Sequence, residues 1–116
     1  MDRTGIEKNY LPLTETTYYI MMSLIEPMHG YGIMQNVEEI TEGRVILAPG
    51  TLYGALSKLQ EEGLITMVEG SEQEDGRRKN YCLTDSGRTV LKLEYERLKQ
   101  MIQDSKYIIE KMGGEQ

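Results

Sequence analysis

Three helices, a β-hairpin and one long final helix can be read in order along this sequence. That order predicts a mainly α fold with a small β-hairpin. Three observations carry it. Apolar residues recur at spacings of three and four in three separate stretches between residues 13 and 62. Two short alternating stretches flank a polar, glycine-bounded loop from Gly70 to Gly76. From residue 85 to residue 112 the apolar positions repeat as they do along a heptad seam.

The first helix is expected over residues 13–28. Thr14 offers a capping hydroxyl, Ile20, Met21, Leu24, Ile25 and Met28 form one face, and Pro27 marks the end. The second is expected over 30–41, with Ile33, Met34, Val37 and Ile40 as its buried stripe. Gly30 and Gly32 flank Tyr31 at its start, where they would let another backbone approach closely. Residues 42–48 connect, with Gly43 as a C-terminal cap signal and Val45, Ile46 and Leu47 as a short extended piece. The third helix is the clearest, over 49–62. Pro49 suits a first helical residue, Leu52, Ala55, Leu56 and Leu59 follow the helical spacing, and Gly63 stops it. Ile65 and Met67, then Tyr81 and Leu83, give two strands. The final helix is capped by Thr84 or Asp85. Three helices followed by a hairpin make a winged helix-turn-helix, so residues 1–12 are an N-terminal extension, 13–84 the winged-helix domain, 85–112 an added helix and 113–116 a frayed tail.

Composition narrows the function. One cysteine, Cys82, and one histidine, His29, supply neither a disulfide nor a zinc set nor a nucleophile–base pair, so an enzyme is not expected and neither is a cofactor or metal. Cys82 reads as a small buried hydrophobe and His29 as a helix cap or surface residue. The N-terminus carries no signal-peptide pattern and no apolar run approaches membrane-spanning length, which points to a cytoplasmic protein without a membrane partner.

The net charge of −6 argues against nucleic acid if taken alone. Its distribution argues otherwise. No acid occurs between Arg44 and Gln60, while Arg77, Arg78 and Lys79 form a second cationic spot. The third helix turns Pro49, Gly50, Thr51, Tyr53, Gly54, Ser57 and Lys58 away from its apolar stripe. These are small residues, hydroxyls and one cation, the surface a helix needs in the major groove of duplex DNA. The competing reading is an ordinary solvated face. Arg77, Arg78 and Lys79 lie where a wing would meet the backbone or a narrow minor groove, or they balance Glu72, Glu74 and Asp75. The Tyr31 hydroxyl suits a phosphate contact or simple packing.

In the last helix, Leu91, Tyr95, Leu98, Ile102, Ser105, Ile109 and Met112 are spaced 4, 3, 4, 3, 4, 3. So small a head cannot bury this seam alone. A homodimer would bury it, and would set two recognition helices about 34 Å apart on a palindromic operator. The alternative is a helix folded back on its own domain.

Three blocks resemble one family. Leu24-Ile25-Glu26-Pro27-Met28-His29-Gly30-Tyr31-Gly32-Ile33 is similar to its first junction. The stretch from Ala48 to Leu59, with Glu62 to Ile65, resembles its recognition helix and exit, and Arg77 to Tyr81 with Leu83 to Gly87 resembles its second wing strand and final helix start. The family is the PadR-type repressors, in their short form with a single C-terminal helix. The resemblance implies a dimeric, sequence-specific DNA-binding transcriptional regulator acting as a repressor, with the third helix in the major groove, the wing on the backbone and a paired C-terminal helix. Many members release DNA on binding a small aromatic or drug-like molecule. Tryptophan serves that pocket in some, and this chain has no Trp and no Phe, so a small-molecule effector stays open and its identity unassigned. Two other functions compete: a winged-helix protein-interaction module, and a ligand-binding dimer without an operator.

Overall fold

The computed structural model of the protein describes residues 7–69 and 79–113. A short 3-10 turn at Lys8–Tyr10 precedes helix α1 (Glu15–Ser23), strand β1 (Met28–His29), helices α2 (Gly30–Ile40) and α3 (Pro49–Glu61), strands β2 (Ile65–Glu69) and β3 (Lys79–Leu83), and helix α4 (Asp85–Lys111). The three strands make one antiparallel sheet in the order β1-β3-β2.

The local chemistry of the chain sets most of these boundaries. Thr14 caps α1 by accepting the Thr17 N–H at 3.1 Å. Thr84, rather than Asp85, caps α4: its hydroxyl accepts the Gly87 N–H at 3.0 Å and donates to the Gly63 carbonyl at 2.7 Å. The Leu64 carbonyl passes directly over Gly87, where any Cβ would overlap it. The end of α3, the start of β2 and the start of α4 are thereby tied at one point.

The first helix is shorter than its apolar pattern suggests, and the sheet has one strand more. Pro27 disfavours helix in the residue before it. The chain therefore leaves α1 after Ser23, and the Leu24 carbonyl accepts the Leu83 N–H at 2.9 Å. Met28 and His29 then pair with Tyr81 and Asn80. Two paired residues are too few to show an alternating pattern in sequence. Residues 45–47 form no strand; the Thr41 hydroxyl accepts the Val45 N–H at 3.1 Å and holds the loop in turns, with Leu47 pointing inward.

One core joins these elements. Ile20, Met21, Leu24, Ile33, Val37, Leu52, Leu56, Leu59, Leu64, Ile65 and Val90 are almost fully buried. Ile25 and Ile40, expected on the buried stripes, are exposed, and Cys82 is only half-buried.

A buried carboxylate fastens the N-terminal extension. Glu94 of α4 is 1% exposed, accepts two hydrogen bonds from Arg97 at 2.6 and 2.8 Å, and accepts the Leu13 N–H at 3.1 Å. The Arg97 guanidinium, helped by the Leu13 N–H, holds its carboxyl below the usual glutamate range, outweighing the opposing effect of burial. Residues 9–14 thus lie between α4 and the flank of α3, where they border a cavity of about 460 Å³ that also touches Lys58 and Glu62.

Candidate nucleic-acid interface

Helix α3 begins at Pro49 with Ala48 as its N-cap, so no side chain caps its first turn. Thr14, His29 and Thr84 cap the other three helices. The first turn of α3 carries no acid, and its free N–H groups and positive dipole end face outward beside Gly50 and Thr51.

Leu52, Leu56 and Leu59 fix which side of α3 faces the core. At about 100° per residue, Gly50, Gly54, Ser57 and Glu61 lie on the opposite side. Tyr53 stands on one flank, toward α2 and β3; Thr51 and Lys58 stand on the other, toward the N-terminal segment. Pro49, Gly50, Thr51, Tyr53, Gly54, Ser57 and Lys58 are all exposed. The structure therefore brings the predicted recognition residues onto one open surface, with a groove of small residues between a phenol and a cation.

Tyr53 is less free than its sequence position suggests. It is 47% exposed, and its phenol lies across the first turn of α2, where a Cβ on Gly30 would overlap the Tyr53 hydroxyl and sit 2.8 Å from Cζ. The close approach expected at Gly30 is thus made by a side chain and not by a backbone. Burial, and then the neighbouring Tyr53 phenol, raise the Tyr81 hydroxyl above its ordinary pKa. His29 caps α2 by accepting the Gly32 N–H on Nδ1 at 3.0 Å. Tyr31, one residue into α2, is 58% exposed.

Of the basic wing residues, Lys79 is exposed at the start of β3, paired in register with Glu69. Arg77 and Arg78 lie outside the described residues. Arg44 is not a free cation of the α3 surface. It pairs with Glu15 at 2.6 Å, donates to the Tyr19 hydroxyl at 2.7 Å, and stacks over that ring, pinning the loop before α3 to the start of α1.

The seam of α4 divides in two. Leu91 and Leu98 are partly buried by their own head, whereas Tyr95, Ile102, Ser105, Ile109 and Met112 are exposed. Ile102 is 68% and Met112 76% exposed, and Met101, Tyr107 and Ile108 add to the uncovered apolar surface. The polar position is satisfied within the helix, since the Ser105 hydroxyl donates to the Met101 carbonyl at 2.9 Å. An apolar groove of about 450 Å³ bordered by Tyr18, Met22, Ile25, Leu91 and Tyr95 continues the seam onto α1.

Residues 20–93 match the family model described as the transcriptional regulator PadR-like family. The chain belongs to the PadR-like family of transcriptional regulators. Its winged-helix fold is the family's own: the chain superposes on a PadR-like transcription factor from Bacteroides fragilis with TM-score 0.67 and 27% identity, covering 91% of this chain and 92% of that one. It also superposes on Bacillus subtilis PadR, solved in complex with operator DNA, with TM-score 0.60 and 27% identity, covering 75% of this chain and 48% of that one. Among curated proteins it is 36% identical over 76 residues to the transcriptional regulator YqjI of Escherichia coli. It is 41% identical over 68 residues to a 37.1 kDa protein of transposon Tn4556 in Streptomyces fradiae. These alignments span 34% and 18% of those two relatives. Regulators, and not enzymes, are what the PadR-like family comprises. Among the described residues no helix is long and apolar enough to cross a membrane.

Sequence reasoning missed Glu94 with its Arg97 and Leu13 partners, and the cluster of Arg44, Glu15 and Tyr19. A lone glutamate among the charges of a long helix gives no signal that it is buried.

Proposed function

We propose that this PadR-like chain is a homodimeric, sequence-specific DNA-binding regulator that acts as a repressor. Helix α3 enters the major groove, the β2–β3 wing lies on the backbone, and α4 pairs with its counterpart. The observation that carries the reading is the outward side of α3. Gly50, Thr51, Tyr53, Ser57 and Lys58 are open to solvent, lack acids until Glu61, and lead from an uncapped helix start. Thr51, Ser57 and Lys58 offer donors to base edges or phosphates, and Gly50 and Gly54 let the helix backbone come close. Tyr31 adds a hydroxyl at the phosphate backbone, and Arg77, Arg78 and Lys79 add charge from the wing. Support for the dimer comes from the exposed apolar positions of α4, notably Ile102, Ile109 and Met112. The solved PadR–operator complex of a relative supports the choice of duplex DNA.

The test is selection of bound duplex from a random pool. Enrichment of a palindrome with half-site centres about 10 base pairs apart is the expected result. The net charge of −6 favours a second reading, a winged-helix protein-interaction module. That reading predicts no retention of any duplex even at low salt.

A further inference from the structure

Gly30 is the first residue of α2, with no left-handed backbone that would call for glycine. Alanine there would favour the helix. The three nearest atoms that a Cβ at Gly30 would meet all belong to Tyr53: the hydroxyl, Cζ at 2.8 Å and Cε1 at 3.2 Å. Gly32, two residues on, differs. A Cβ there meets the Met28 Cγ at 3.0 Å, on a flexible side chain that can move aside. Gly30 is buried beneath the phenol. The ring therefore rests against the first turn of α2 while Tyr53 stays 47% exposed.

We propose that Gly30 is a positioning residue for DNA binding: its bare Cα is the seat of the Tyr53 phenol, and that seat sets where the phenol stands on the surface α3 presents to the duplex. The inference rests on the reading of α3 as the DNA-contacting helix. Residue 30 need touch no DNA itself. A methyl group there lifts the ring out of its seat and turns the phenol outward, changing where it stands on the α3 surface. Displacements of about 1 Å matter on a surface that must match base edges within hydrogen-bonding range.

The experiment is a double-mutant cycle on the duplex recovered by selection, with the full chain as parent, Gly30→Ala, Tyr53→Ala and the double variant. Gly30→Ala is expected to weaken binding about tenfold in the parent and less than about twofold in the Tyr53→Ala background, because the atoms it collides with are then gone. In a Tyr53→Phe background, which lacks the hydroxyl but keeps Cζ, the loss falls between these two. Equal losses in the parent and Tyr53→Ala backgrounds overturn the proposal, as does no loss in the parent. Should Gly30→Ala alone fail to fold, recovery of a cooperative thermal transition in the double variant supports the seat, and failure of both overturns it. A parent that binds no duplex at all refutes the DNA reading itself, a different result from a parent that binds without coupling.

Discussion

The two ends of α4 have the same sequence periodicity and opposite surroundings. Near its start, Gly87, Val90 and Glu94 are buried against the winged-helix head, and Thr84 and Glu94 bond to segments distant in sequence. From Lys99 to Met112 every residue is exposed, including Met101, Ile102, Tyr107, Ile108 and Ile109. The proximal end is explained by its own domain. The distal end leaves Met101, Ile102, Tyr107, Ile108 and Ile109 uncovered, and the second copy of the chain proposed above would cover them. In the proposed dimer one helix does two jobs, and substitutions at its two ends should fail in different ways.

The largest expected effect is at the distal end. Ile102→Glu places a charge in the middle of the seam and should give monomers by sedimentation while the head keeps its circular dichroism; a dimer that persists would mean that the distal end of α4 is not where two copies meet. At the proximal end, Glu94→Ala removes a buried carboxylate and strands Arg97 and the Leu13 N–H. It should lower the unfolding free energy by about 2–3 kcal/mol in denaturant titration. The same group gives a pH signature. Its folded-state pKa lies below its unfolded value, so its stabilisation is present above the ordinary glutamate range and is lost as pH falls through the folded value. Parent and Glu94→Gln should therefore converge in stability on acidification, and a gap that stays constant to low pH would assign the effect to shape alone.

Val90→Ala should lower stability by about 2 kcal/mol at any protein concentration. Ile109→Ala should leave the isolated head within about 0.5 kcal/mol of the parent and instead raise the dimer dissociation constant. If the two behave alike in chemical unfolding, the ends of α4 are not distinct. The smallest effect belongs to α3. Gly54 sits inside a helix with nothing within 4 Å of where a Cβ would be, so the fold does not require glycine there. Gly54→Ala should stabilise the protein by about 0.5–1 kcal/mol and still weaken duplex binding.

The helices were legible because their signals are local. Thr14, Pro49, Gly63 and Thr84 punctuate the chain within one turn of the boundaries they set, and Leu52, Leu56 and Leu59 fix which side of α3 faces in. That is why the open surface of Gly50, Thr51, Ser57 and Lys58 could be anticipated. What the sequence could not show depends on contacts between distant segments. The strand at Met28–His29 exists because β3 is there to pair with it. The burial of Glu94 depends on a backbone N–H 81 positions away. The half-packed state of Tyr53 depends on the missing side chain of Gly30. Arg44 looked like part of a cationic face, and Glu15 and Tyr19 claim it through geometry that no spacing rule encodes.

The proposed function sets the outward side of α3 against duplex DNA, and Lys58 is the one cation of that side. The most direct measurement is the salt dependence of binding to the selected duplex for the parent and for Lys58→Ala. Loss of one phosphate-neutralising charge should weaken binding and reduce the slope of log affinity against log salt by about 0.9. A variant that binds as tightly as the parent, with the same slope, would contradict the assignment of this surface to DNA.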